Sequence, residues 1–215
     1  VHARAEGSSA ARRTRRGRSA PVAVARAPVI GTDQQLLGVA SGSLSRNTAH
    51  MARLFVAIWP SDDVLDRLAD IERPKDQGVK WVPQENLHVT LRFLGDADET
   101  EVAARLADTV LPAATAVVGP AFDLLGERSL ISPVAGVDEL AMVVHQALRG
   151  LGTEPERKRF QGHITVARLA REARPHRSAG RLFDATFAVD EIALVASTLL
   201  DTGAVYDTVA TWPTH

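Results

Sequence analysis

Two segments repeat one unusual pattern: "NLHVTLRFLG" (86–95) and "GHITVARL" (162–169) are short apolar runs, each carrying a histidine followed two residues later by a threonine. Side chains alternate along a strand, so His88 and Thr90 share one face while Leu87, Val89 and Leu91 share the other. His163 and Thr165 are set apart from Ile164 and Val166 in the same way. Each run therefore reads as a strand whose apolar face packs against helices and whose His/Thr face meets something else. By the same parity Arg92 joins His88 and Thr90, whereas Arg168 falls on the apolar side of its strand.

The surrounding elements show what carries these strands. "RLFVAIW" (53–59) is a β-rich run ended by Pro60, and Ser61 is placed to cap a helix through "DDVLDRLADIE", with acids in its first turn. Pro74 and Gly78 end that helix, "VKWV" is extended, and "ADETEVAARLADTVL" has helical spacing at Val102, Leu106 and Val110. In the second half "AFDLLGERSLIS" reads as paired strands and "VDELAMVVHQALRGLG" as an amphipathic helix closed by glycines. "ATFAVDEIALVASTL" and "AVYDTVATWP" read as late strands. A doubly wound parallel sheet would call for a Gly-rich phosphate loop after its first strand, and "AIWPSDD" stands there instead. The late strands without intervening helices favour an α+β fold of mostly antiparallel sheets, arranged as two similar lobes flanking a central cleft with helices outside.

Charge divides the chain unevenly. Residues 1–50 hold eight Arg against Glu6 and Asp33, a balance of +6, while residues 51–215 hold 17 basic and 24 acidic side chains, a balance of −7. The first fifty residues show no sustained period, and "PVAVARAPVIG" is cut by Arg26 and Pro28, which argues against a secretory signal. A transit peptide or an RNA-binding arm fits the Arg-rich composition. The simplest expectation is that residues 1–50 are a disordered or wrongly assigned extension and that residues 51–215 form a single domain. Its acidic balance lacks the basic footprint of a protein that grips long nucleic acid, so such a substrate would be engaged locally. No apolar run is long enough for a membrane helix, and the expected state is a cytoplasmic monomer.

Cysteine is absent, so thiolate chemistry and Cys-based metal sites are excluded and any reaction rests on His, carboxylates, Ser/Thr, Lys or Arg. A single His in a strand is more often a satisfied core or edge residue than a catalyst. Two copies with the same Thr neighbour shift that balance toward function. Zinc is one alternative, but two His without a Cys or a matching acid make a thin ligand set. Proton transfer suits two imidazoles better, one neutral and accepting, the other protonated and donating. That arrangement serves in-line displacement at phosphorus, with Thr hydroxyls and an Arg on the non-bridging oxygens. Neither a metal, a cofactor nor a covalent nucleophile is then required.

With "RLFVAI", "VKWVPQENLHVTLRFLG" and "HITVARL", the chain resembles the two-histidine (2H) phosphoesterase superfamily over about residues 51–212, and within it the RNA 2′,3′-cyclic phosphodiesterases, also called 2′-5′ RNA ligases. The resemblance implies a bilobal fold in which each lobe delivers one His-x-Thr strand to the cleft. It also implies hydrolysis of RNA 2′,3′-cyclic phosphate ends to 2′-phosphomonoesters, with weak reverse 2′-5′ ligation. His88 would then be the proton donor and His163 the proton acceptor, and Thr90 and Thr165 would bind the phosphate. Arg168 corresponds to an Arg often found in the family's site, and reaching it requires a bulge or twist; Arg92 is the residue that parity supports. Small cyclic nucleotides, ADP-ribose cyclic phosphates, and binding of RNA without catalysis are the alternatives.

Two departures from the family stand out. Gly162 occupies the place of a common Pro before the second His, which would loosen the approach to His163, and "RSLISPVAG" lacks the Trp-bearing apolar strand expected there. Trp81 and Phe160 read as core aromatics; His145, His176 and His215 read as surface residues, and "REARPHR" (171–177) as a solvated loop.

Overall fold

A computed structural model of the chain describes residues 53–153, 159–171, 173, 177–201 and 203–215. The expectation for residues 1–50 lies outside the described residues, as does that for His176. β1 (Arg53–Ile58) leads into α1 (Asp62–Ala69), then β2 (Val79–Trp81), one 3-10 turn (Gln84–Asn86), β3 (Val89–Gly95) and α2 (Glu99–Ala107). β4 (Ala114–Val118), β5 (Asp123–Leu125) and β6 (Ser129–Ala135) precede α3 (Asp138–Ala147). β7 (His163–Leu169), β8 (Ala185–Val189), β9 (Glu191–Leu200) and β10 (Gly203–Pro213) complete the fold.

Neighbouring strands pair in the order β10-β9-β1-β3-β7-β6-β4-β8, with β2 added to β7 and β5 to β6. All of these pairings are antiparallel, so the expected α+β class with antiparallel sheets holds. Two groups of strands meet where β3 touches β7, in register only at Val89 and Ile164. Sequence halves and strand groups do not coincide. β2, from the first half, joins β7, while β9 and β10 return from the C-terminus to β1.

β1 explains that return. It is apolar on both faces, so it fits only a central position, and it lies between β3 and β9. Leu54, Val56 and Ile58 enter the main core, whereas Phe55 and Ala57 join Ala193 and Val195 in a smaller cluster on the opposite face. Helices cover the first face. Val64 and Leu68 of α1, Val102 and Leu106 of α2, and Leu140, Ala141 and Val144 of α3 are buried, each larger side chain contributing about 1.5–3 kcal/mol. Acids occupy the first turn of all three helices, as the helix dipole favours. Asp98 caps α2 by accepting from the Glu101 N–H at 2.9 Å. Ser61 flanks α1 as expected, yet its hydroxyl makes no capping bond.

β4 was not foreseen, and "RSLISPVAG" differs from expectation. That segment forms β6 without a tryptophan, because Leu130, Ile131 and Val134 suffice to bury it beside β7. Among the described residues no helix is long and apolar enough to cross a membrane.

Candidate active site

The pairing of Val89 with Ile164 centres the two His-x-Thr patterns on each other, since each is the residue between His and Thr. Continuing that antiparallel register sets His88 across from Thr165 and Thr90 across from His163, on one face of the sheet. Cross-strand neighbours of this kind stand about 5 Å apart at Cβ. All four line one cleft of ≈ 370 Å³, with Phe55, Lys80, Trp81, Asn86, Phe93, Arg168, Ser197 and Tyr206 among its walls.

Both rings are held alike. His88 Nδ1 lies 2.8 Å from the Asn86 carbonyl oxygen, and His163 Nδ1 lies 2.8 Å from that of Gln161. A carbonyl can only accept, so Nδ1 carries the proton in each bond. Each Nε2 is thereby left for the cleft, a base when the ring is neutral and an acid when it is charged.

Surroundings then distinguish the two rings. His88 packs on Phe55 at 4.9 Å, on Tyr206 at 5.2 Å and on Trp59 at 5.7 Å between ring centroids, above the small apolar cluster behind β1. Burial there pushes its pKa below the ordinary 6.5, against the hydrogen bond to the Asn86 carbonyl, which raises it, and the charges of Arg168 and His163 lower it further. The free protein therefore holds His88 largely neutral. An anion seated between the histidines favours the charged ring, so we expect His88 to titrate below 6.5 alone and at higher pH with inorganic phosphate bound. NMR titration of the imidazole signals, with His88→Gln for assignment, measures both values. A free-state value at or above 6.5 would remove the effect of the aromatic cage.

Arg92 and Arg168 exchange the places that parity gives them. In β3 the partners of Val56 and Ala57 are Arg92 and Thr90, leaving Leu91 as an extra residue. In β7 the partners of Leu130 and Ile131 are Ala167 and Thr165, leaving Val166 as the extra residue. A bulge of this kind reverses the alternation beyond it. Arg92 consequently turns inward, 3 % exposed, and donates to the carbonyls of His145 at 2.9 Å and Leu151 at 3.1 Å. The expectation that Arg92 binds substrate is corrected: it braces β3 against α3 and the segment after it. Arg168 emerges into the cleft and donates to Ser129 Oγ at 2.9 Å. Phe93 holds the corresponding place on β3 and forms part of the cleft wall.

Other expectations resolve similarly. His145 is half-buried, with Nε2 3.0 Å from the Leu91 carbonyl, so it is a structural brace and not a surface residue. Trp81 packs on the core, gives Nε1–H to the Pro74 carbonyl at 3.2 Å and also edges the cleft. Phe160 packs on the core, and His215 is exposed. Among the described residues no group of three His, Asp or Glu is placed to hold a metal ion.

Gly162 does not loosen the strand. Its carbonyl accepts from the Val134 N–H at 2.8 Å, and a Cβ built on it would stand 2.4 Å from the Val134 oxygen. Gly162→Ala must therefore separate β6 from the start of β7, moving the Gln161 carbonyl that orients His163. We expect a loss of about 1–3 kcal/mol in urea unfolding, together with reduced turnover. Unchanged stability would mean that the two strands part without cost.

Residues 60–199 match the 2′-5′ RNA ligase superfamily. An "RNA 2′,3′-cyclic phosphodiesterase" of Archaeoglobus fulgidus is 35% identical over 133 residues, which is 56% of this chain and 74% of that protein. One of Geobacillus stearothermophilus is 32% identical over 62% of this chain, and the match spans 47% of its length. Escherichia coli LigT, solved in complex with 3′-AMP, superposes with a TM-score of 0.61 at 25% identity, covering 76% of this chain and 98% of LigT.

Proposed function

As the chain belongs to the 2′-5′ RNA ligase superfamily, we propose that it hydrolyses the 2′,3′-cyclic phosphate end of RNA to a 2′-phosphomonoester. The observation that carries this reading is the side-by-side pairing of two His-x-Thr strands with both His/Thr pairs on one face of the sheet, each His fixed through Nδ1 to the carbonyl two residues before it. Names of the relatives support the substrate class.

The phosphate sits between the rings, its non-bridging oxygens accepting from Thr90, Thr165 and Arg168. His163 Nε2 takes a proton from water as the water oxygen attacks phosphorus. The bond from phosphorus to O3′ breaks, and His88 Nε2–H gives its proton to O3′. A free 3′ hydroxyl and a 2′-phosphomonoester result. With the 5′ hydroxyl of a second RNA in place of water, His163 Nε2 takes the hydroxyl proton as O5′ attacks phosphorus, the bond to O3′ breaks and O3′ takes the proton of His88, leaving a 2′-5′ phosphodiester as a slow companion reaction.

His88 neutral in the free protein is compatible with its role as donor because the arriving phosphate anion favours its protonation. We extend the proposal to a cytoplasmic monomer whose residues 51–215 form one domain of two lobes. The test is incubation of the full chain, in buffer containing EDTA, with a short RNA ending in a 2′,3′-cyclic phosphate. Conversion to the 2′-phosphate is expected; an untouched RNA end would sink the reading.

A further inference from the structure

The cleft holds a second cation that the reaction does not use. In the register of β2 with β7, Lys80 stands directly across from Arg168, and both line the cleft. Directly opposed residues lie on one face of a sheet, and like charges so placed repel. Among the described residues neither side chain forms an ion pair; Arg168 donates to the neutral Ser129 hydroxyl. Among the described residues no Asp or Glu lines the cleft, although acids outnumber bases 24 to 17 over residues 51–215. A body with carboxylates to spare leaves two adjacent cations uncompensated, an arrangement that an anionic ligand relieves.

Its position says which anion. His163, Thr165 and Arg168 follow one another along the cleft face of β7, and Lys80 lies one strand farther out on β2. The Lys80 Nζ is 3.8 Å from a Cβ built at Gly203, so the side chain reaches across the mouth from β2 to the start of β10. On the other motif strand the place of Arg168 belongs to apolar Phe93. The near-symmetry of the two strands is thus broken in charge, and a chain of phosphates has one favourable way out.

Resting on the reading of the site as a cyclic-phosphate hydrolase, we infer that Lys80 binds the phosphodiester on the 5′ side of the terminal nucleotide, so that the cleft prefers oligonucleotide ends to single cyclic nucleotides. The test compares kcat/KM for adenosine 2′,3′-cyclic phosphate with that for the dinucleotide ApA ending in the same group, using wild type, Lys80→Ala and Lys80→Arg. Wild type should favour the dinucleotide by about tenfold or more, as one charge-assisted contact supplies. Lys80→Ala should reduce that ratio to below about threefold, and Lys80→Arg should keep most of it. Preference for the dinucleotide should also weaken as salt rises.

Equal losses on both substrates in Lys80→Ala, or no preference in wild type, would overturn the inference while leaving the hydrolase reading intact. Turnover of neither substrate would instead overturn the hydrolase reading. Calorimetry with adenosine 3′-phosphate and ApA 3′-phosphate reads the same ratio without turnover, so the role of Lys80 is decided in that case too.

Discussion

His163→Ala should lower kcat/KM on RNA ending in a 2′,3′-cyclic phosphate by about 10³-fold, and His88→Ala by the same order, within the 10²–10⁴ that positioned acid–base groups supply. Both losses follow from geometry. Each ring turns its Nε2 to the cleft because Nδ1 is committed to a carbonyl, and neither Thr can move a proton in its place at neutral pH. Removing both rings should cost less than the product of the single losses, since donor and acceptor act on one step.

The two roles separate with a substrate carrying sulfur in place of the leaving 3′ oxygen. Sulfur departs without protonation, so His88→Ala should recover most of its activity there and His163→Ala should not. Recovery by His163→Ala alone would reverse the assignment. Retention of full activity by either variant would remove that histidine from the reaction.

Arg92→Ala should destabilise the fold by about 3 kcal/mol, the scale expected when a buried charged partner is removed and its acceptors are left in the interior. Its guanidinium serves the carbonyls of His145 and Leu151, at the end of α3 and beyond it, and the side chain is only 3 % exposed. Urea unfolding measures the loss. At low temperature, where the variant is folded, kcat/KM should stay within a few-fold of wild type, because the side chain points away from the cleft. Normal stability with a large loss of turnover would return Arg92 to the site and contradict the bulge in β3.

Legibility of the site stops at that bulge. Alternation correctly puts His88 with Thr90 and His163 with Thr165, because it needs only local strand geometry. Leu91 and Val166 become extra residues through their relation to β1 and β6, distant in sequence, and nothing in "TLRF" or "TVAR" announces this. Arg92 and Arg168 were therefore both misdirected by parity, and only the resemblance to a family pointed to Arg168. Helices were legible through their acidic first turns and apolar spacing. β4 was not, since "ATAVV" is short and alanine-rich and owes its place to β6 and β8 on either side. Nor does "VKW" reveal that it crosses to β7, a placement on which the position of Lys80 depends.

The single register pair between β3 and β7 has a mechanical meaning. A sheet bends most easily where it is joined most thinly, and here that seam runs through Val89 and Ile164, between the two histidines. Beneath it, however, the apolar core on the helix face is continuous, with Val89, Ile164 and Val144 of α3 in one buried cluster. The thin joint is thus clamped from below, and the spacing of the two histidines is set by the same close packing that holds the fold together.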